Sequence, residues 1–225
     1  MKKPLKTKKQ RSLGKRKKAS AAKRVKDPSA RDALLRAAKH WFARKGLSGT
    51  SIRDIASEAG VNSSLISYYF ESKEGLYRAC LQEIGDRRLA MAEEILKPPE
   101  TYEELRFRSQ MLVENLLSLY LEDLDAGLIL AREYDRAHSP AEDVFRSTYL
   151  KIFEKVISFI KSAQKKGLMD KSKDPFLLAS LLFGGLTSHM RTDHLMEKAF
   201  GRTLKNKNER QKLLDHTVEL FFARS

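Results

Sequence analysis

Ser51-Ile52-Arg53-Asp54-Ile55-Ala56-Ser57-Glu58-Ala59-Gly60-Val61-Asn62, continued by Ser63-Ser64-Leu65-Ile66-Ser67-Tyr68-Tyr69-Phe70 and Glu71-Ser72-Lys73-Glu74-Gly75-Leu76, decides the fold class of this 225-residue chain. Ser51 with Asp54 three positions on is a capping box, and it opens a helix whose inward face is Ile52, Ile55, Ala56 and Ala59. Gly60 stops that helix. Asn62 can cap the next one, whose inward face is Ile66, Tyr69 and Phe70. Two short helices joined by three or four residues that include glycine, the first lined with small alanines that permit close approach, are the grammar of a helix-turn-helix.

Helical signals extend outward in both directions. Upstream, Asp27-Pro28 marks a boundary, Ser29 with Asp32 reads as another capping box, and Leu34, Leu35, Ala38, Trp41 and Phe42 form one apolar stripe that Gly46 ends. Downstream, Ser72 starts a helix running to Pro98-Pro99, and Thr101 with Glu104 opens the next. An apolar helix covers Leu124 to Tyr134, Ser139-Pro140 with Glu142 opens one that ends at Gly167, and Asp174-Pro175 opens a strongly apolar one. A last helix spans roughly Glu209 to Ala223. No internal repeat and no convincing period-two alternation interrupts this pattern. The expected architecture is all-α with about nine helices: a basic tail over residues 1–26, a three-helix head over 27–72 and a larger helical body over 73–225.

Charge is distributed unevenly. The formal net charge is +15, yet residues 1–26 hold 13 Lys or Arg and no acid, while the remaining 31 basic residues nearly match 29 acidic ones. A segment so basic and so poor in large apolar groups is expected to be disordered when free and to favour polyanions. The longest nearly apolar run, Phe176 to Leu186, is about half a bilayer span, so no membrane partner is expected, and no apolar leader core follows the basic start. One cysteine, Cys80, permits no internal disulfide and reads as a core thiol in a reducing compartment. The five histidines are scattered, His189 and His194 fall on different helix faces, and no HExxH, CxxC or phosphate-loop spacing occurs, so neither a metal, a cofactor nor an enzyme is expected.

From about Ala30 to Leu81, including Trp41-Phe42 and the Ser51 to Leu76 stretch, the chain closely resembles the TetR family of bacterial transcriptional regulators. Beyond that segment the resemblance persists as helix count and layout, with the Asp174-Pro175 start of a dimer helix. It implies a cytoplasmic, nucleoid-bound homodimer that reads double-stranded DNA, commonly a repressor released from a palindromic operator by a small-molecule effector. Two chains would pair through the last two helices. Leu177, Leu181, Gly184 and Ser188 on one and Leu214, Val218 and Phe221 on the other are the expected seam, because both helices are apolar on more than one side.

A recognition helix enters the major groove by its N-terminal residues, which makes Asn62, Ser63, Ser64, Ser67 and Tyr68 the expected readers. Arg53 matches a family position that reads guanine, as a bidentate arginine can. Ser51, Tyr69 and Lys73 match phosphate-binding positions, which position the head and carry no sequence information. Leu65 and the Ser67-Tyr68-Tyr69 triplet depart from the common family pattern. Leu65 either touches a thymine methyl group or belongs to the core, and Tyr69 can pack its ring inward while its hydroxyl reaches phosphate. The tail is the larger departure: Arg11, Arg16, Lys17 and Lys18 either follow DNA beside the head as a flexible arm or form a solvated, nonspecific segment. Polar groups on apolar helices, namely Tyr120, Glu133, Tyr134, His138, His189 and Arg191, are candidates for an effector pocket or else satisfied structural residues. A rival reading is an architectural, nucleoid-associated DNA-binding protein whose body binds a partner protein.

Overall fold

The computed structural model describes residues 28–134 and 139–222, and every regular element among them is helical. The tail calls at Arg11, Arg16, Lys17 and Lys18 lie outside the described residues, as does His138, and the side chains of Tyr120 and Tyr134 are likewise not described. The elements are α1 (Pro28–Gly49), α2 (Ile52–Glu58), α3 (Ser64–Phe70), α4 (Lys73–Ile95), α5 (Tyr102–Glu122), α6 (Leu124–Tyr134), α7 (Glu142–Phe145), α8 (Lys151–Lys165), α9 (Pro175–Phe200) and α10 (Lys207–Phe222). A π-helical turn, Arg146–Leu150, joins α7 to α8 without a break, so the ten α segments make nine rods.

Local chemistry sets most of the boundaries. The side chains of Ser51, Ser72, Thr101 and Asp174 each accept a hydrogen bond from a backbone N–H two or three residues on, satisfying a donor that the first helical turn leaves unpaired. Gly46, Gly60 and Gly167 take positive φ at the breaks expected of them. Two starts differ from expectation. Pro28 already belongs to α1, so Ser29 sits inside the first turn. Ser139 folds into a turn whose Oγ accepts from the Ala141 N–H, which delays α7 to Glu142.

A single hydrophobic core runs through head and body. Leu34, Ala38 and Phe42 of α1 meet Ile55, Ile66 and Phe70 on one side and Leu76, Cys80 and Ile84 of α4 on the other, and the same cluster continues to Val156, Phe159, Leu182 and Phe222. Residue 72, the head boundary read from sequence, is the cap of α4, whose buried residues join the one core cluster that also holds those of α1, α2 and α3. Burial pushes the Cys80 thiol far above its ordinary value, as for an inert core sulfur. Among the described residues no helix is long and apolar enough to cross a membrane.

Candidate DNA-reading head and body cavity

The two helices of the motif are held by a small number of directional contacts. Ser63 stands at the N-cap of α3 without a side-chain cap bond, Asn62 Oδ1 just ahead of it accepts from the Ser64 N–H at 2.8 Å, and Ile66 and Phe70 anchor that helix in the core. Thr50, buried just ahead of α2, donates from its hydroxyl to the Gly46 carbonyl at 2.7 Å and lies 3.2 Å from the Trp41 carbonyl. Its own carbonyl accepts from Lys73 Nζ at 2.9 Å, which ties the start of α4 to the loop preceding α2. Where α3 gives way to α4, a Cβ added at Gly75 would lie 1.9 Å from the Phe70 carbonyl oxygen, a separation no side chain survives. The positions of α2, α3 and α4 are thereby over-determined.

What this frame turns outward is polar. Ser51, Arg53, Asn62, Ser63, Ser64, Ser67 and Tyr68 are exposed, Tyr68 at 45% of its surface. Leu65 and Tyr69 are half-buried and pack on the core cluster. The core reading of Leu65 therefore describes most of its environment. The Tyr69 ring meets Tyr68 edge-on at 5.0 Å. Lys73 is half-buried and already donates one of its three N–H bonds inward, which leaves two for an external acceptor.

The body encloses a cavity of about 520 Å³ walled by α4, α5, α6, the π turn with α8, and α9. Most of its wall is aliphatic, including Ile95, Leu112, Leu116, Ile152 and Leu186. Its polar members are Arg88, Asn115, Arg132, Tyr149, Thr187, Arg191 and His194, with no carboxylate among them. Exposed Leu124, Leu128, Arg191 and His194 mark the mouth. Of the expected pocket residues, Arg191 lines this space and Glu133 and His189 do not. Glu133 is buried in its own network, accepting from Tyr77 Oη at 2.6 Å and from the Ser139 hydroxyl.

Arg88 was not expected here, although the sequence carries its signal. Leu81, Ile84, Arg88, Ala92 and Ile95 form the buried stripe of α4, and an arginine in the middle of such a stripe needs a reason. Burial, and then the neighbouring Arg87 charge, push its guanidinium below the ordinary value, opposed by Asp123, Tyr149 and Glu122.

On α9 and α10 the structure divides the expected seam. Leu177, Leu181, Gly184 and Ser188 are exposed on one side of α9, with Leu177 and Leu181 at 58% and 62%. Phe221 is half-buried, whereas Leu214 and Val218 are buried within their own chain, where α10 packs along α5. Leu220 takes the outward place on α10 at 70% exposure. The sequence pattern marks α10 as apolar on two sides but does not say which side its own core takes. Among the described residues no three His, Cys, Asp or Glu side chains are grouped to hold a metal ion.

A helix whose exposed side is polar, set on a three-helix head and followed by a helical body with a cavity, defines a helix-turn-helix architecture. Residues 34–80 match the model of the bacterial regulatory proteins of the tetR family. It is 45% identical over 62 residues to the HTH-type transcriptional dual regulator CecR of Shigella flexneri, covering 28% of this chain and 27% of CecR. Against the HTH-type transcriptional regulator RutR of Escherichia coli K12 the identity is 41% over 80 residues, 36% of this chain and 34% of RutR. The chain thus spans about a third of the length of these curated relatives. For the whole fold, the transcriptional regulator FadR of Bacillus subtilis, solved in complex with stearoyl-CoA, superposes with a TM-score of 0.68 over 86% of this chain and 98% of FadR at 17% identity.

Proposed function

We propose that the chain is a sequence-specific, DNA-binding transcriptional regulator acting in the cytoplasm as a homodimer, a repressor that a small-molecule effector releases from a palindromic operator. It is not an enzyme in this reading. The observation that carries it is the split of α3 into two faces: Ile66 and Phe70 locked in the core, Ser63, Ser64, Ser67 and Tyr68 presented outward. Supporting it, Arg53 lies exposed on the preceding helix, and the TetR-family match falls on this head. Two heads related by a two-fold would meet successive major grooves about 34 Å apart. The outward stripe of α9 with Leu220 of α10 is the surface for the pairing. At Gly184 and Gly185 an added Cβ would meet nothing within 4 Å, so room remains there for a partner helix.

Genome-wide mapping of fragments bound by the purified protein tests this. Enrichment at one or a few palindromes overlapping promoters, lost in Tyr68→Ala and Arg53→Ala, is the expected result. Broad binding without a shared motif, unchanged in both variants, would replace it with the architectural reading built on the 13 basic residues of the tail.

A further inference from the structure

Arg88 lines the cavity with 9% of its surface exposed, and among the described residues no carboxylate lines the cavity beside it. Nη1 donates to the Asn115 carbonyl at 2.9 Å and lies 3.3 Å from Asn115 Oδ1 and 3.4 Å from Ser118 Oγ, all uncharged acceptors. Nε is buried without a partner, and no hydrogen bond is made by Nη2 among the described residues. Asp123, an acid near enough to act on it, is committed to Arg87 at 3.0 Å. A buried cation left this way is costly unless an anion completes it.

Further along α4 the same wall becomes apolar. Arg88, Ala92 and Ile95 share one face at i, i+4 and i+7, so the charged end and the apolar end are roughly 10 Å apart at 1.5 Å per residue. From α5, Asn115 stands beside Arg88, and Leu112 lies one turn earlier on the cavity side. Arg88 is the buried cation of the cavity, Arg132, Arg191 and His194 standing exposed at its rim, and the wall beyond Arg88 is aliphatic, within the size range of small-ligand sites.

We infer that the cavity binds an amphiphilic carboxylate, its carboxyl group on Arg88 and its hydrocarbon chain along Ile95, Leu112 and Leu116. A planar guanidinium with open N–H groups is suited to a carboxylate, and charge-assisted bonds in a dry site discriminate strongly against an uncharged head group. The inference deepens the effector-controlled reading and names its ligand class, but binding is measurable without DNA, so the two fail separately.

The test is calorimetric titration of the full chain with decanoate and with 1-decanol, which share a chain and differ in the head. Decanoate is expected to bind at least about tenfold more tightly. Arg88→Met, neutral and close in volume, should erase that preference, and Arg88→Lys should keep part of it. Leu128→Trp narrows the mouth and should weaken both probes together. Equal binding of the two by the natural chain, no binding of either, a preference that survives Arg88→Met, or decanoate binding untouched by Leu128→Trp would each overturn the inference. If Arg88→Met does not fold, the decanoate-to-decanol ratio and the Leu128→Trp arm still decide it.

Discussion

Gly75 and Tyr68 stand a few residues apart and answer to different demands. At Gly75 the Phe70 carbonyl occupies the place of a side chain, so Gly75→Ala forces the start of α4 away from α3. A loss of about 2–3 kcal/mol of unfolding free energy is expected in denaturant titration. Tyr68 is exposed, and Tyr68→Ala should change stability by less than about 0.5 kcal/mol while lowering operator affinity roughly tenfold or more in gel-shift titration. Lys73 lies between these cases. Its inward bond to the Thr50 carbonyl means that Lys73→Ala lowers both the melting temperature and DNA binding, whereas a pure phosphate contact would lower only the second. Asp143 shows a different residue-level effect. The hydrogen bonds from Arg78, at 2.5 and 2.6 Å, hold its carboxyl below the usual carboxylate value. A depressed carboxylate contributes stability above its unfolded value, near 4, and loses it as pH falls through the lower folded value. Asp143→Asn should therefore reduce the acid dependence of the melting temperature below about pH 4 and leave the slope near neutrality unchanged.

Among the elements, α6 has the most consequential position. One side of it walls the cavity through Leu124, Leu128 and Arg132, and another packs along α1, the first helix of the head. Two polar links fasten it there. Asp125 lies 3.3 Å from His40, and Arg132 Nη2 donates to the Ala43 and Arg44 carbonyls at 3.2 and 3.3 Å, near the Gly46 break in α1. A cation on the last carbonyls of a helical segment is favourable by about 0.3–1 kcal/mol. Arg132→Met should lower the melting temperature by roughly 1–4 °C. Its more diagnostic effect is on coupling: the ratio of operator affinities with and without effector should move toward one while each ligand still binds alone. The rod from α7 to α8 is the second special element. At its π turn Thr148 approaches α4 so closely that a Cβ on Gly85 would come within 2.6 Å of its side chain. Tyr149 in the same turn reaches the cavity. Single π turns of this kind are frequent at functional sites.

For the whole molecule, the exposed stripe of α9 is the surface assigned to the proposed pairing of two chains. Leu177, Leu181 and Gly184 are open, and Gly184 has free space around it, so Gly184→Leu costs the single chain little. Sedimentation analysis should show that substitution splitting the homodimer, and dimers unaffected by it would move the pairing surface elsewhere. The charge asymmetry is testable at the same scale. Deleting residues 1–26 removes 13 positive charges, and it should weaken DNA binding and flatten the slope of log affinity against log salt. An unchanged slope would assign those charges no part in DNA contact.

The helical class, most of the cap residues, the helix-turn-helix and the outward polar side of its second helix were legible in the sequence because each depends on neighbours within a few positions: a side-chain oxygen and an N–H two or three residues later, a glycine at positive φ, an apolar stripe of period 3.6. The head was also legible by resemblance, since the two motif helices and the helix before them lie in one short segment. Tertiary structure alone decided which side of an apolar helix meets its own chain. That is why Leu214 and Val218 turned inward and Leu220 outward, and why Glu133 spends its charge on Tyr77 and Ser139 rather than on the cavity. It also decided that Arg88, Asn115 and Arg132, scattered over 45 positions, share one cavity. Periodicity records that a residue is buried, but what stands opposite it is set by how separate helices cross.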